Sequence, residues 1–280
     1  MNTSLFKRVM TTVIALPTLL FIIVLLPYYN YLAFTLLVIV ISIISNAEIH
    51  DMLTKNKELN LKVPFWLGGL LPLFAYIQLA FMPSYDLISL VLMVLIIFSL
   101  SLEIYFGHKI DGYKGSRDRM AISACMLLYP SLLTTYFIRF CFLDDAWVWI
   151  ITFLGLCFSS DTFAYIFGML LGKNNRGFIK VSPNKSIAGY VAGILIPGLE
   201  GILLTSLFSI YKMNPVQGFV LGSLTACGAA FGDLIESCFK RSAGVKDSGH
   251  IIPGRGGMMD SVDSLIVAAP IFYFLIFLMV

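Results

Sequence analysis

Apolar runs of about 20 residues recur along the whole chain and dominate what it can fold into. A helix needs about 20 apolar residues to cross the roughly 30 Å hydrocarbon core of a bilayer. The 280 residues are 59% hydrophobic and 12% charged, whereas an ordinary soluble domain is about 25% charged. The sequence therefore predicts an all-α integral membrane protein and excludes a soluble globular domain.

Polar breaks divide the apolar sequence into nine predicted membrane-spanning helices. The first follows Lys7 and Arg8, as the apolar region of a signal peptide would. No small-residue cleavage site comes after it, so we expect a retained helix. The chain divides into N-terminal helices, residues 1–150, and a core with polar loops, residues 151–280, within one continuous membrane unit. The predicted spans are residues 9–26, 31–47, 65–82, 87–106, 120–138, 147–171, 187–208, 216–236 and 262–280.

The distribution of basic residues predicts how these helices are oriented. Cytoplasmic loops of membrane proteins carry an excess of Lys and Arg. With nine spans, only Arg139 and Lys212 of the 19 Lys and Arg residues fall on one side, and the other 17 share the side of the N-terminus. We therefore expect a cytoplasmic N-terminus, an outer C-terminus and polar loops that face the cytoplasm.

The densest polar stretch, residues 232–263, interleaves acidic, basic and glycine residues in an otherwise apolar chain. Ionisable groups at or near a bilayer are costly, so such a cluster indicates a functional site. At its start, Asp233, Glu236, Ser237 and Lys240 have the i, i+3, i+4, i+7 spacing of one helix face. Asp233 there suits a metal and Lys240 a phosphate. The alternative is a helix-end ion pair between Glu236 and Lys240.

A glycine-rich loop follows and cannot continue as a regular helix. Its glycines let backbone N–H groups approach phosphate oxygens. Asp260 and Asp263 then share one face at the start of the last predicted helix, where carboxylates are also ordinary partners of the helix dipole. Two acidic pairs around a basic loop favour an oxygen-ligated Mg²⁺ site. Further candidate binding residues here are Arg241, Lys246, Asp247, His250, Arg255, Gly256 and Gly257.

A second basic loop, residues 172–186, precedes the seventh predicted span. Its basic residues serve as topology determinants, but Ser182, Asn184 and Lys185 also offer a hydroxyl, an amide and a cation. They lie at the N-terminal end of a helix, where N–H groups favour anions. Asp161, within the sixth apolar run, is either a structural acid bonded across helices or part of the site, and we expect it to belong to the site.

The order of these residues resembles the phosphatidate cytidylyltransferase (CDP-diacylglycerol synthase) family. The resemblance is specific over residues 228–270, and the first 150 residues are similar only in being apolar spans. Supporting matches are Ser182 to Ser186 and Asp161 with Gly168 and Gly172. The family pattern runs from Ser through Lys-Arg, Lys-Asp and Gly-Gly to paired aspartates, here Ser237, Lys240-Arg241, Lys246-Asp247, Gly256-Gly257, Asp260 and Asp263.

The resemblance implies a multi-helix enzyme of the inner, cytoplasmic membrane, commonly a homodimer, with its site open to the cytoplasm and residues 151–280 as catalytic core. The implied reaction converts CTP and phosphatidate into CDP-diacylglycerol and pyrophosphate in phospholipid biosynthesis, with Mg²⁺ and a supporting K⁺. No nucleic-acid partner is expected. Asp233 and Asp260 would bind the metal, and Lys240 and Asp263 would complete the catalytic residues. The other candidates would surround nucleotide or lipid phosphates.

Two positions depart from the family pattern. Arg255 stands where the family usually has His, and Ser261 stands where it usually has Arg. The cation of Arg255 would compensate for the one that Ser261 lacks. The alternatives that stay open are another CTP-using membrane enzyme, such as a polyprenol kinase or a CDP-archaeol synthase, and a transporter or inactive relative. A transporter would spread its acids along a pathway, whereas here they concentrate toward one membrane face.

Overall fold

The computed structural model describes residues 3–55 and 59–279, and these residues contain helices and no β-strand. Of the basic residues used to predict orientation, Lys57 lies outside the described residues, as do the side chains of Lys7, Arg8 and Lys55. The helices are α1 (Thr3–Leu25), α2 (Tyr28–Lys55), α3 (Leu70–Phe81), α4 (Leu87–Asp111), α5 (Ser116–Met126), α6 (Leu133–Phe140), α7 (Ala146–Leu170), α8 (Ile187–Leu207), α9 (Pro215–Ser242) and α10 (Met259–Met279).

Seven helical segments of the described chain are long and apolar enough to cross a membrane: α2, α4, the continuous stretch of α5 and α6, and α7 to α10. Two shorter apolar helices, Val13–Leu25 and Phe65–Phe81, lie where the sequence predicts the first and third spans. The prediction of an all-helical integral membrane protein is therefore confirmed. The count of nine spans and the orientation of the termini stay predictions.

A wide π-helical turn, Leu127–Leu132, joins α5 to α6 and contains Pro130. Proline has no N–H and its ring disturbs the preceding helical turn, and a π-turn accommodates such an interruption. The hydroxyl of Ser131 donates to the carbonyl of Met126 at 2.7 Å and accepts from the amide of Asn46 at 2.9 Å. The interrupted helix is thereby tied to α2.

The described residues form two compact units. The first contains the chain up to Trp147 together with Phe239–Ser261, and the second contains Val148–Cys238 together with the chain from Val262 onward. In the first unit, the glycine-rich loop after α9 therefore packs with helices near the N-terminus. The division at residue 150 predicted from the sequence stays a prediction.

In the second unit, small residues let α8 approach α7 and α9 closely. A Cβ on Gly193 would lie 2.9 Å from the Cβ of Ala164, and a Cβ on Gly222 would lie 2.6 Å from the carbonyl carbon of Pro197. Close backbone approach through small residues is a common basis of helix association in membranes. The glycines of α8 and α9 therefore fix the spacing of the helices that carry part of the candidate site.

In the first unit, a buried ion cluster joins α4 to α5. The Arg119 side chain is 1% exposed. Its guanidinium donates to Glu103 at 2.7 Å and 2.9 Å and to Asp111 at 2.8 Å and 3.0 Å. Arg119 is one of the residues counted as orientation signals, and the structure gives it an additional, internal role.

Candidate active site

The helices that carry the acidic candidates extend beyond the apolar runs. Helix α9 continues to Ser242, so Asp233, Ser237 and Lys240 are all helical, as their spacing predicts. Helix α10 begins at Met259, three residues before the predicted start. Asp260 consequently lies in the first turn of α10.

Asp260 is the centre of a dense hydrogen-bonded cluster in the first unit. Its Oδ1 accepts from Lys240 Nζ at 2.7 Å, and the two side chains are 7% and 16% exposed. Its Oδ2 accepts from the N–H and the hydroxyl of Ser248 at 2.8 Å and 3.0 Å, and from the N–H of Gly257 at 2.7 Å. The carboxylate therefore holds both ends of the glycine-rich loop.

The middle of this loop is a tight turn at Pro253-Gly254. The N–H of Arg255 donates to the carbonyl of Ile252 at 3.1 Å, and Gly254 has a φ of 81°. Proline followed by a glycine at positive φ is the pattern of a type II turn. Gly256, with a φ of 109°, continues the turn in a backbone conformation that residues with a Cβ rarely adopt. The charged and histidine side chains exposed along the loop and at its border are Arg241, Lys246, Asp247, His250 and Arg255.

In the second unit, Lys185 and Asp233 form an ion pair, with side chains 27% and 30% exposed. The Lys185 ammonium also lies 5.4 Å from the ring centroid of Tyr190. Burial by itself lowers the pKa of Lys185, but the charges and hydrogen bonds of Asp233 and, to a smaller extent, Tyr190 together outweigh it, and the pKa is raised above its ordinary 10.5. The hydroxyl of Ser237 lies 3.4 Å from Asp233 Oδ1. A basic loop residue is thus paired with an acid of α9.

The second basic loop ends at a helix cap. The hydroxyl of Ser186 accepts from the N–H of Gly189 at 3.1 Å, at the start of α8. A Cβ on Gly168 would lie 3.2 Å from the same hydroxyl oxygen. Close packing against the Ser186 cap thus explains why a residue without a side chain suits position 168. Before the cap, Ser182 is half-buried and Asn184 is exposed.

The remaining acidic candidates occupy different environments. Asp161 is exposed on α7. The Asp263 residue is 7% exposed, and its Oδ1 accepts from the N–H of Ser264 at 2.6 Å. A Cβ on Gly232 would lie 2.9 Å from the Cα of Ser264, so α9 approaches α10 closely beside Asp263. Catalytic or binding roles for Asp161 and Asp263 stay predictions.

The family of the chain follows from its similarity to known sequences. The sequence model of the cytidylyltransferase family matches residues 6–279. This chain belongs to the cytidylyltransferase family. It is therefore a nucleotidyltransferase, and the family resemblance inferred from the loop residues is confirmed.

Relatives in bacteria and plants carry a more specific name. This cytidylyltransferase is 28% identical over 274 residues to the phosphatidate cytidylyltransferase of Bacillus subtilis. The aligned residues cover 96% of this chain and 97% of the relative. It is 33% identical over 212 residues to that of Rickettsia felis, covering 74% and 87%. It is also 41% identical over 124 residues to the chloroplastic phosphatidate cytidylyltransferase 5 of Arabidopsis thaliana, covering 44% and 30%.

Two residues of the Asp260 cluster are absent from the sequence prediction. Glu48 of α2 and Ser248 of the loop are both buried, and the Ser248 hydroxyl lies 2.9 Å from Glu48 Oε2 and 3.0 Å from Asp260 Oδ2. Glu48 lies one residue beyond the predicted span 31–47 and close to His50 and Asp51, so the sequence placed it in a polar loop. Ser248 offered no signal, because serine is common in loops.

The carboxylates of the cytidylyltransferase have the donor chemistry of a Mg²⁺ site. Mg²⁺ prefers carboxylate oxygens and uses one or two of them together with substrate phosphates. Asp233 fits as a carboxylate whose Oδ1 has a long, 3.4 Å contact with the Ser237 hydroxyl. Asp260 would offer Oδ1, which accepts from Lys240 Nζ at 2.7 Å, since three donors bind Oδ2. Within residues 3–55 and 59–279, no group of three or more Asp, Glu, His or Cys side chains is close enough to hold a metal alone.

Proposed function

We propose that this cytidylyltransferase converts CTP and phosphatidate into CDP-diacylglycerol and pyrophosphate, a step of phospholipid biosynthesis. The observation that carries the proposal is the similarity to the Bacillus subtilis phosphatidate cytidylyltransferase over 96% of this chain. Seven helices in the described part of the chain are apolar enough to cross a membrane, which suits an enzyme with a lipid substrate. Lysine–carboxylate pairs beside an exposed basic loop suit a reaction between two phosphate groups.

The chemistry is a direct displacement at phosphorus. An oxygen of the phosphatidate phosphate attacks the α-phosphorus of CTP and forms a new P–O bond. The bond from the α-phosphorus to the β-phosphate oxygen breaks, and its electron pair leaves with pyrophosphate. The lipid phosphate is already an anion near neutral pH, so the reaction needs no side-chain nucleophile and no strong base. Catalysis then depends on positioning and on neutralising charge.

The side chains divide this work by their charge and exposure. Lys240 and Lys185, each paired with an aspartate, are the proposed fixed cations beside the reacting phosphates. Ser182, Asn184 and the glycine-rich loop are the proposed contacts to substrate oxygens. The exposed side chains of that loop and its border, together with the backbone of two of its glycines, are proposed to bind the phosphates of CTP and the lipid: Arg241, Lys246, Asp247, His250, Arg255, Gly256 and Gly257.

Asp233 and Asp260 are the proposed Mg²⁺ ligands, with K⁺ as a supporting ion. When bound, Mg²⁺ neutralises phosphate charge and polarises the P–O bonds. Within its own unit, each aspartate contacts a lysine, which places a cation beside each proposed metal ligand. We also propose that the enzyme resides in the inner membrane as a homodimer, with its site facing the cytoplasm, as the excess of basic residues on one side of the predicted topology indicates.

The test uses detergent-purified protein with phosphatidate, Mg²⁺ and CTP labelled at the α-phosphate. The expected product is labelled CDP-lipid with one pyrophosphate released per product. Asp233→Asn should lower the rate at least about a hundredfold, the size of effect seen when one group that stabilises the transition state is removed. Lys212→Ala is the matched control, because Lys212 lies on the opposite side in the predicted topology and should leave the rate unchanged.

Other products would identify a different activity. CTP consumed on polyprenol, with a phosphorylated alcohol as product, would overturn the proposal in favour of a CTP-dependent kinase. A polyprenol kinase transfers the γ-phosphate, so that substrate is tested with CTP labelled at the γ-phosphate. Absence of labelled lipid from phosphatidate and archaeal-type ether lipid with α-labelled CTP, and from polyprenol with γ-labelled CTP, would indicate an inactive relative. Lys212→Ala losing as much activity as Asp233→Asn would remove the support for the assigned site.

A further inference from the structure

Glu48 of α2 binds the segment that carries the glycine-rich loop into α10. Its residue is 5% exposed. Its Oε1 accepts from the N–H of Met258, and its Oε2 from the N–H of Met259, each at 2.8 Å. The hydroxyl of Ser248 donates to Oε2 at 2.9 Å. One carboxylate near the N-terminal end of the chain thus binds three donors about 200 residues away.

These contacts make Glu48 the anion at the start of α10. The first N–H groups of a helix have no partner within the helix, and negative charge is stabilised there by the helix dipole. Hydrogen bonds to a charged acceptor are also about twice as strong as neutral ones. The start of α10, which by itself would attract a substrate phosphate, is therefore already occupied by a side chain of α2.

The loop backbone is folded closely around this carboxylate. A Cβ on Gly249 would lie 2.6 Å from Glu48 Oε1. A Cβ on Gly257 would overlap both the Ser248 hydroxyl and the Glu48 carboxylate. Since no side chain fits at either position, the conformation of this loop is matched to the position of Glu48.

Ser248 transmits the position of Glu48 to Asp260. Its hydroxyl lies 2.9 Å from a Glu48 oxygen and 3.0 Å from an Asp260 oxygen, and it accepts from the N–H of Asp260 at 3.2 Å. A serine hydroxyl has one proton to donate, so the two carboxylates compete for it. On its other side, Asp260 accepts from Lys240. Glu48, Ser248, Asp260 and Lys240 therefore form one continuous hydrogen-bonded chain.

We infer that Glu48 is a positioning residue of the transferase reaction. It acts through Ser248 and the start of α10, where it fixes the Asp260 carboxylate and the exposed cations of the loop. Its kinetic consequence rests on the proposed function. Its structural consequence, an ordered loop over residues 248–259, does not depend on which substrate the enzyme uses.

The test compares Glu48→Gln with the parent enzyme in the CDP-lipid assay and in amide hydrogen exchange. Glutamine keeps the size of the side chain but replaces one acceptor oxygen by an NH₂ group, which faces an N–H or hydroxyl donor. We expect kcat/KM for CTP to fall about 10- to 100-fold, the usual effect of losing a group that orients a ligand residue. Exchange should rise within residues 248–259 and stay unchanged in α8. Glu48→Asp, which keeps the charge, should retain more activity than Glu48→Gln.

Asp51→Asn is the matched control, because it makes the same charge change on the same helix. The Asp51 side chain is 79% exposed and its partner is His50, so kinetics and exchange should match those of the parent. Equal kcat/KM and equal loop exchange in Glu48→Gln and the parent enzyme would overturn the inference.

Two further results separate the possible failures. If the parent enzyme makes no CDP-lipid, the proposed function fails, and loop exchange in Glu48→Gln still decides the positioning role. If Glu48→Gln does not fold, Ser248→Ala decides it, since that change removes the link to Asp260 and leaves Glu48 in place. Reduced kcat/KM in folded Ser248→Ala would support the inference, and unchanged kcat/KM with unchanged exchange would overturn it.

Discussion

Lys240 Nζ lies 2.7 Å from Asp260 Oδ1, and this ion pair connects the last turns of α9 to the first turn of α10. Both side chains are largely buried, so each depends on the other for compensation of its charge. Removing one member of a buried pair costs about 3–5 kcal/mol, because the remaining charge is left uncompensated. The pair is therefore a structural element of the fold as well as a proposed part of the site.

A double-mutant cycle tests this dependence. Lys240→Met should lower the free energy of unfolding by about 3 kcal/mol, the low end of the range for a broken buried pair, because Ser248 and Gly257 still donate to Asp260. Asp260→Asn in the same background should restore part of that loss, giving a coupling of at least about 1 kcal/mol. Denaturant unfolding in detergent measures all four proteins. Strictly additive effects would contradict the pairing.

The Lys185–Asp233 pair predicts an alkaline limit on stability. The pKa of Lys185 is raised above 10.5 in the folded protein, so its contribution is fully present below the unfolded value and is lost as pH rises through the folded value. The difference in thermal stability between the parent protein and Lys185→Met should stay constant from neutral pH to about pH 10 and shrink above that. A difference that disappears near neutral pH would show that the pair does not form.

Arg119 should be a major determinant of stability in the first unit. Arg119→Met leaves Glu103 and Asp111 without their shared partner, and we expect a loss of about 3–5 kcal/mol in the free energy of unfolding. Arg119→Lys should lose nearly as much, because an ammonium cannot reproduce the two forked contacts. Arg117→Met is the control, since that side chain is 94% exposed. Equal thermal midpoints for Arg119→Met and Arg117→Met would contradict the buried cluster.

Two glycine substitutions separate helix propensity from packing in the second unit. Alanine is favoured over glycine inside a helix by about 1 kcal/mol, and this term applies equally to Gly155 and Gly222. The nearest atom to a Cβ on Gly155 is 3.7 Å away, whereas a Cβ on Gly222 would lie 2.6 Å from backbone of α8. Gly155→Ala should therefore be neutral or stabilising, and Gly222→Ala destabilising. The thermal midpoints of the two variants check this, and Gly222→Ala at or above the parent value would contradict the close α8–α9 contact.

The local pattern of charged and apolar residues was sufficient for the helices and for part of the site. The shared helix of Asp233, Ser237 and Lys240 was predictable, because their i, i+4, i+7 spacing depends only on residues close together in the sequence. The turn at Pro253-Gly254 was likewise readable, since proline and glycine act on their own backbone angles. For Arg119, the sequence indicated only a topology signal. Its buried pairing with Glu103 and Asp111 was not predictable, because it depends on how α4 packs against α5.

The sequence by itself determined the membrane class, the apolar helices, the family and most of the polar residues near the loop. Each of these follows from nearby residues or from an order of residues along the chain that resembles the family pattern. Only the tertiary structure decided the partners: Lys240 with Asp260, Lys185 with Asp233, and Glu48 with the start of α10. Glu48 lies about 200 residues from its partners, and contacts over such separations are set by helix packing. That packing depends on close approach at glycines such as Gly222 and Gly249, where a missing side chain matters only once its neighbour in space is known.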